Sequence, residues 1–195
     1  LGNDGVRNVI ATRLSNGQRL VDLYRRVLER FENAVVIVTN YYSPIEPTSD
    51  PNNLILLAIV SPGVGAIAGG VNALFGQSKT FGDTMNDTIA NAVRQVRSEA
   101  AFRNRKLLIA ENGINPVCGL FTNPSCVWGP VLNINATAPY ATDDPQRENR
   151  RLACDTFNPQ DATCKVASMF HPNVTGAGTY FLGIIAAIPN AKPSL

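Results

Sequence analysis

Ala34-Val35-Val36-Ile37-Val38-Thr39 is a continuous β-branched run bounded by polar residues, and its reading decides the fold. Such a run suits a strand covered on both faces, the form that parallel sheets take. Immediately before it, Leu20, Val21, Tyr24, Val27, Leu28 and Phe31 recur at intervals of three and four with Arg and Glu between them. That spacing predicts an amphipathic helix over residues 18–31 with one buried face. After the strand, Asn40-Tyr41-Tyr42-Ser43-Pro44 leaves at the carboxyl edge, where open α/β sheets bind ligands.

Further along, Met85, Ile89, Ala92, Val93 and Val96 share one face of a helix expected to run to about residue 101, with Arg94, Arg97 and Glu99 outside. Thr80 or Asp83 reads as its cap. Gly82-Asp83-Thr84 has a superficial likeness to a nucleophile motif, but capping accounts for it better. Residues 106–110 form a second buried strand. Helix, strand, helix, strand in this order predicts an α/β fold with a parallel sheet and helices on both sides. The 195 residues fit one domain.

Two regions interrupt the alternation. Residues 54–76 are apolar and rich in Gly and Ala, with Ser61-Pro62-Gly63 in the middle. The length raises a membrane span, but Pro62 and five glycines favour two short apolar helices, packed over a pocket or exposed as a lid over about residues 50–78. Lipid contact through residues 54–75 is the corresponding partner expectation, and a membrane-anchored protein is the rival. Residues 111–168 have little periodicity and carry Cys118, Cys126, Cys154 and Cys164. Of three pairings the spacing favours two local bridges, 118 with 126 and 154 with 164, which staple the loop and imply export. No zinc spacing is present, so neither a metal nor a cofactor is expected. Phe121 and Trp128 read as packing beneath the loop.

With 17 Lys+Arg against 15 Asp+Glu the net charge is +2, thinly spread, and a nucleic-acid partner is not expected. Sequons at Asn86, Asn135 and Asn173 bear on function only in a eukaryotic secretory route.

The only histidine is His171, in Ser168-Met169-Phe170-His171-Pro172-Asn173. Pro172 biases it toward an extended backbone, and Asn173 can cap an apolar helix from about residue 174 to 188. An imidazole so placed suits a general base, and the plainer reading is an inert loop histidine. Gly2-Asn3-Asp4-Gly5 reads as a turn just beyond a strand.

Asn3-Asp4 in its glycine turn resembles the G-x-N-D block of the SGNH (GDSL-type) hydrolases, with glycine at position x and Leu1 where the block has its first glycine. Phe170-His171-Pro172-Asn173 with Gly176 is similar to the family's last block, which carries the catalytic histidine. The order of elements between them, including Met85-Asn86-Asp87-Thr88, also resembles the secreted actinobacterial-type lipases and esterases, as do the cysteine-bearing loops. The resemblance implies a three-layer α/β/α, flavodoxin-like fold, acyl-ester hydrolysis, His171 as base and Asn3 as oxyanion donor. It implies a secreted, monomeric enzyme acting on a small-molecule or lipid ester.

Ser168 stands where the family has an aspartate three residues before the histidine. The imidazole is then oriented by a backbone carbonyl near Ser168 or Met169, or by Asp155 or Asp161. Nothing corresponds to the Gly-Asp-Ser block of the nucleophile, so the expectation is a C-terminal portion of the domain. The alternative is a non-catalytic binding module on a degenerate hydrolase fold.

Overall fold

The computed structural model describes residues 2–50, 70–110, 126, 152–153, 156, 172 and 174–188. The described elements are α1 (Asn3–Arg13), α2 (Gln18–Arg30), β1 (Val35–Thr39), α3 (Gly70–Ser98), β2 (Lys106–Ala110) and α4 (Val174–Ala187). The chain divides into two compact units. The first comprises Leu1–Ser43, Lys79–Gly113 and Gly178–Leu195; the second comprises Pro44–Ser78 and Ile114–Ala177.

In the first unit β1 and β2 pair in parallel, with Val36 opposite Leu107 and Val38 opposite Ile109. Side chains alternate along a strand, so this register puts all four on one face. There they meet Val21, Tyr24 and Leu28 of α2 and Ala92, Val93 and Val96 of α3, with Phe102 closing the cluster. The described fold is therefore α/β with a parallel strand pair. Both helices bury most of the faces their spacing predicts, and each large apolar side chain so buried contributes about 1.5–3 kcal/mol. The exception is Phe31, expected on the buried face, which caps the C-terminus of α2 and is 58 % exposed. The opposite face is less covered than expected: Val35 is 43 % exposed, because it leaves the polar turn after α2, and Ile37 and Leu108 are half-buried.

A two-toothed ion pair ties α2 to the turn after α3. Arg25 Nε donates to both Glu99 carboxylate oxygens at 3.1 and 3.0 Å, and a terminal nitrogen donates to Oε1 at 2.8 Å. That hydrogen bonding, first among several causes, raises the Arg25 pKa above its ordinary value. Glu99, read as an outward residue, is thus a cross-element anchor.

Residues 2–5 are not a turn. Gly2 is extended at φ −79°, ψ 178°, and Asn3 is the first residue of α1. Glycine is tolerated at such a cap position, and Asp4 in the first turn faces the positive end of the helix dipole while pairing with Arg7 at 2.7 Å. Turn-like composition concealed the start, and with Ile10 as the helix's buried residue the periodic signal was weak. The helix stops at Ser15, Asn16 and Gly17, all at positive φ (49°, 53° and 91°). There the Asn16 N–H donates to Ala11 O at 2.7 Å.

The start of α3 is also corrected. The helix begins at Gly70, so Thr80 and Asp83 lie in its interior rather than at its cap. Thr80 is buried, and Asp83 pairs with Lys79 one turn earlier at 2.6 Å. Packing has overridden the low helix propensity of a Ser, Thr and Gly-rich stretch. In the second unit, Ser78 on α3 accepts the Ile45 N–H at 2.8 Å, and Ser49 Oγ accepts the Glu46 N–H at 3.1 Å. Of the apolar segment 54–76, expected as two short helices, residues 54–69 lie outside the described residues, and residues 70–76 are the first turns of the long helix α3 rather than part of a separate lid.

Candidate functional site

Beyond Thr39 the chain leaves the sheet through Asn40, whose N–H reaches Ala110 O at 3.4 Å. Its carbonyl then accepts the hydroxyl of Tyr180, on α4, at 3.1 Å. One residue on, the Asn86 carboxamide of α3 fastens Tyr41 twice. Its Oδ1 accepts the Tyr41 N–H at 2.6 Å and its Nδ2 donates to Tyr41 O at 3.0 Å. The strand exit is therefore held from two helices by side chains that replace the missing sheet partner.

Around this exit the rings form a continuous aromatic group. Tyr41 stacks on Tyr42 with centroids 5.6 Å apart and meets Phe81 edge-on at 5.2 Å. Tyr42 meets Tyr180 at 6.2 Å in an edge arrangement. Gly82 lets α3 come close: a Cβ there would lie 2.8 Å from Ser43 Oγ and 3.2 Å from Ser43 N. Tyr42 is buried, whereas Tyr41 keeps 43 % of its surface exposed. Burial, followed by the neighbouring tyrosines, raises the Tyr42 pKa, and burial with Tyr41 behind it pushes Tyr180 up to about 12. Both remain phenols at neutral pH. Tyr180 serves as a donor to Asn40 O, and both rings form apolar walls rather than acting as bases.

This carboxyl-edge group is the most structured polar-aromatic arrangement among the described residues. Sequence reading placed Tyr41 and Tyr42 at the edge but missed Phe81, Asn86 and Tyr180. The available signal was Tyr180 itself, a hydroxyl-bearing ring inside an otherwise apolar helix. The sequence shows Asn86 as a sequon and as part of Met85-Asn86-Asp87-Thr88; in the structure its amide is engaged with the Tyr41 backbone.

A concavity of about 210 Å³ lies elsewhere, where the α1–α2 connection faces α3, rimmed by Asn16, Thr84, Thr88, Asn91 and Gln95. Its lining holds no ionisable side chain, so it has no acid–base chemistry. Among the described residues, no three His, Cys, Asp or Glu side chains cluster to hold a metal ion.

Of the expected site residues, Asn3 is exposed at the first position of α1. It takes no part in the hydrogen bonds and ring contacts of the carboxyl-edge group. His171, Ser168, Asp155 and Asp161 lie outside the described residues, as do Phe121, Trp128, Cys118, Cys154 and Cys164. Cys126 is described: it is buried and disulfide-bonded. No family model matches the chain, and neither does any curated protein sequence or solved structure.

Proposed function

We propose that the chain belongs to a secreted ester hydrolase of the SGNH type, built on a three-layer α/β/α sheet. The observation that carries this reading is the Tyr180 hydroxyl on Asn40 O. The helix that follows His171-Pro172-Asn173 in sequence thereby docks on the carboxyl-edge exit of a parallel strand, where open α/β sheets place their sites.

In this reading a serine hydroxyl attacks the ester carbonyl carbon, and His171 takes its proton. The tetrahedral intermediate collapses, the C–O bond to the alcohol breaks, and the protonated imidazole returns the proton to the leaving oxygen. Water then repeats the sequence on the acyl-enzyme, releasing acid and free serine. Asn3 donates to the oxyanion, a contribution of about 3 kcal/mol to transition-state stabilisation. The serine's Gly-Asp-Ser block has no counterpart in residues 1–195, so the test uses the longest natural form of the protein that contains them. His171→Ala in that form abolishes p-nitrophenyl acetate hydrolysis; an undiminished rate removes the assignment.

The second reading, a non-catalytic binding module on the same fold, is favoured by Ser168, which stands where a carboxylate would orient the imidazole. Covalent labelling by a fluorophosphonate separates the two, since only the enzyme carries an activated serine.

A further inference from the structure

The C-terminal helix is built inside out. On α4, Tyr180 is half-buried and Gly183 and Ala187 are buried, so one side of the helix packs inward largely through small residues. Its largest apolar side chains point the other way. Phe181 is 60 % exposed, Leu182 66 %, Ile185 46 % and the adjoining Ile188 43 %. At 3.6 residues per turn these four occupy one stripe about 120° wide. A run of this kind on a water-facing surface is the opposite of ordinary amphipathic patterning, in which the large apolar residues line the core.

Three features decide what the stripe meets. First, residues 166–191 contain no Asp, Glu, Lys or Arg, and none of the four side chains forms a hydrogen bond. Protein interfaces carry a polar rim and about one hydrogen bond per 100–200 Å². Second, four side chains at these exposures present on the order of 400 Å², about half of what each partner in a stable pair of copies buries. A second copy of this chain is therefore poorly served by this face alone. Third, α4 has 14 residues, a length of about 21 Å against a hydrocarbon core of about 30 Å, and no helix of the described residues is long and apolar enough to cross a membrane.

We infer that α4 is a lipid-contacting surface, lying in the interface of a zwitterionic bilayer with Phe181, Leu182, Ile185 and Ile188 immersed. The protein body takes the place of the polar face that free-standing interfacial helices present to water. The absence of charge selects zwitterionic or neutral lipid, since no basic side chain on the stripe seeks anionic headgroups. The inference is independent of ester hydrolysis.

The test is flotation of the full chain with phosphatidylcholine vesicles lacking anionic lipid. Wild-type protein floats with the vesicles, and the Phe181→Ser, Leu182→Ser double variant reduces the bound fraction at least tenfold with an unchanged far-UV circular dichroism spectrum. A complementary variant, Phe181→Trp, shows an emission shift to the blue on adding vesicles that wild type, with Trp128 alone, does not show. Equal flotation of wild type and double variant overturns the inference. So does no flotation of the wild type, or a concentration-dependent dimer that the double variant dissolves while vesicles bind neither. Binding is read without turnover. Flotation of the chain while the longest natural form shows no esterase activity fails the hydrolase reading alone, and hydrolysis of p-nitrophenyl acetate by that form without flotation of the chain fails this inference alone.

Discussion

Asn86 holds Tyr41 as a neighbouring strand would, accepting its N–H and donating to its carbonyl through one carboxamide. Each bond contributes about 1 kcal/mol, and the pair fixes where the aromatic group leaves β1. Asn86→Ala removes both, with an expected loss of about 1–2 kcal/mol in urea denaturation. Asn86→Asp keeps the acceptor for the Tyr41 N–H but turns a carboxylate oxygen toward the Tyr41 carbonyl. It is expected to be no more stable than the alanine variant. If both variants unfold at the wild-type midpoint, the carboxamide is not what secures the strand exit.

Gly82→Ala tests the close approach on the other side of that exit. Alanine favours helix over glycine by about 1 kcal/mol, so an unobstructed site would gain stability. Here the new Cβ meets Ser43 Oγ at 2.8 Å and the Ser43 backbone nitrogen at 3.2 Å. The serine hydroxyl can rotate, but the backbone cannot do so cheaply, and overpacking of this kind costs about 1–3 kcal/mol. The expected result is net destabilisation, with faster amide exchange at Tyr41, Tyr42 and Ser43. A stabilised variant would show that the exit loop yields freely.

Buried phenols give the protein an alkaline limit. Burial raises the pKa of Tyr24 and Tyr42, and Tyr180 is pushed up to about 12. An unfolded tyrosine ionises near pH 10, so above that the unfolded chain binds fewer protons than the folded one and stability falls with rising pH. The Tyr180 contribution is present in full below about pH 10 and is lost as pH rises toward about 12. Thermal scans across this window are expected to show a falling Tm, and Tyr180→Phe flattens the slope while lowering the Tm at neutral pH through loss of the bond to Asn40 O. An identical alkaline slope in both proteins would mean that Tyr180 ionises without unfolding.

Leu28 and Leu107 show which part of the fold was legible in the sequence. Leu28 follows from the three-and-four spacing along α2 and Leu107 from the apolar run at 106–110, and both are 1 % exposed in one cluster. Truncating either to alanine is expected to cost about 2–5 kcal/mol, measured by denaturant midpoint at constant m. Periodicity reports what a single element buries, so α2, β1, the second half of α3, β2 and α4 were all readable. It does not report tertiary contacts made by polar residues. The Asn86 clamp, the Arg25 to Glu99 ion pair and the Tyr180 hydroxyl join residues 45, 74 and 140 positions apart, and no local pattern announces them. The same limit explains α1 and the first turns of α3. Gly-Asn-Asp-Gly and Ser-Lys-Thr-Phe-Gly-Asp are turn-like in isolation and become helical through caps, dipoles and packing beyond the local window.

Asn3→Ala separates a catalytic role from a structural one. The side chain is exposed at the first position of α1, where alanine is at least as good a helix former as asparagine. The variant's Tm is therefore expected to stay the same or rise slightly. If the carboxamide donates to the oxyanion, its loss raises the barrier by about 3–4 kcal/mol, a drop of roughly 10² to 10³ in kcat with little change in KM. That donor is worth most where charge develops, so ground-state binding is almost untouched. Asn3→Asp is the sharper companion: it keeps the size and the helix-dipole preference while replacing the donor with a negative charge facing the oxyanion. It should be at least as inactive as the alanine variant and no less stable. Wild-type kcat in both variants would remove Asn3 from the site and leave α1 a purely structural helix.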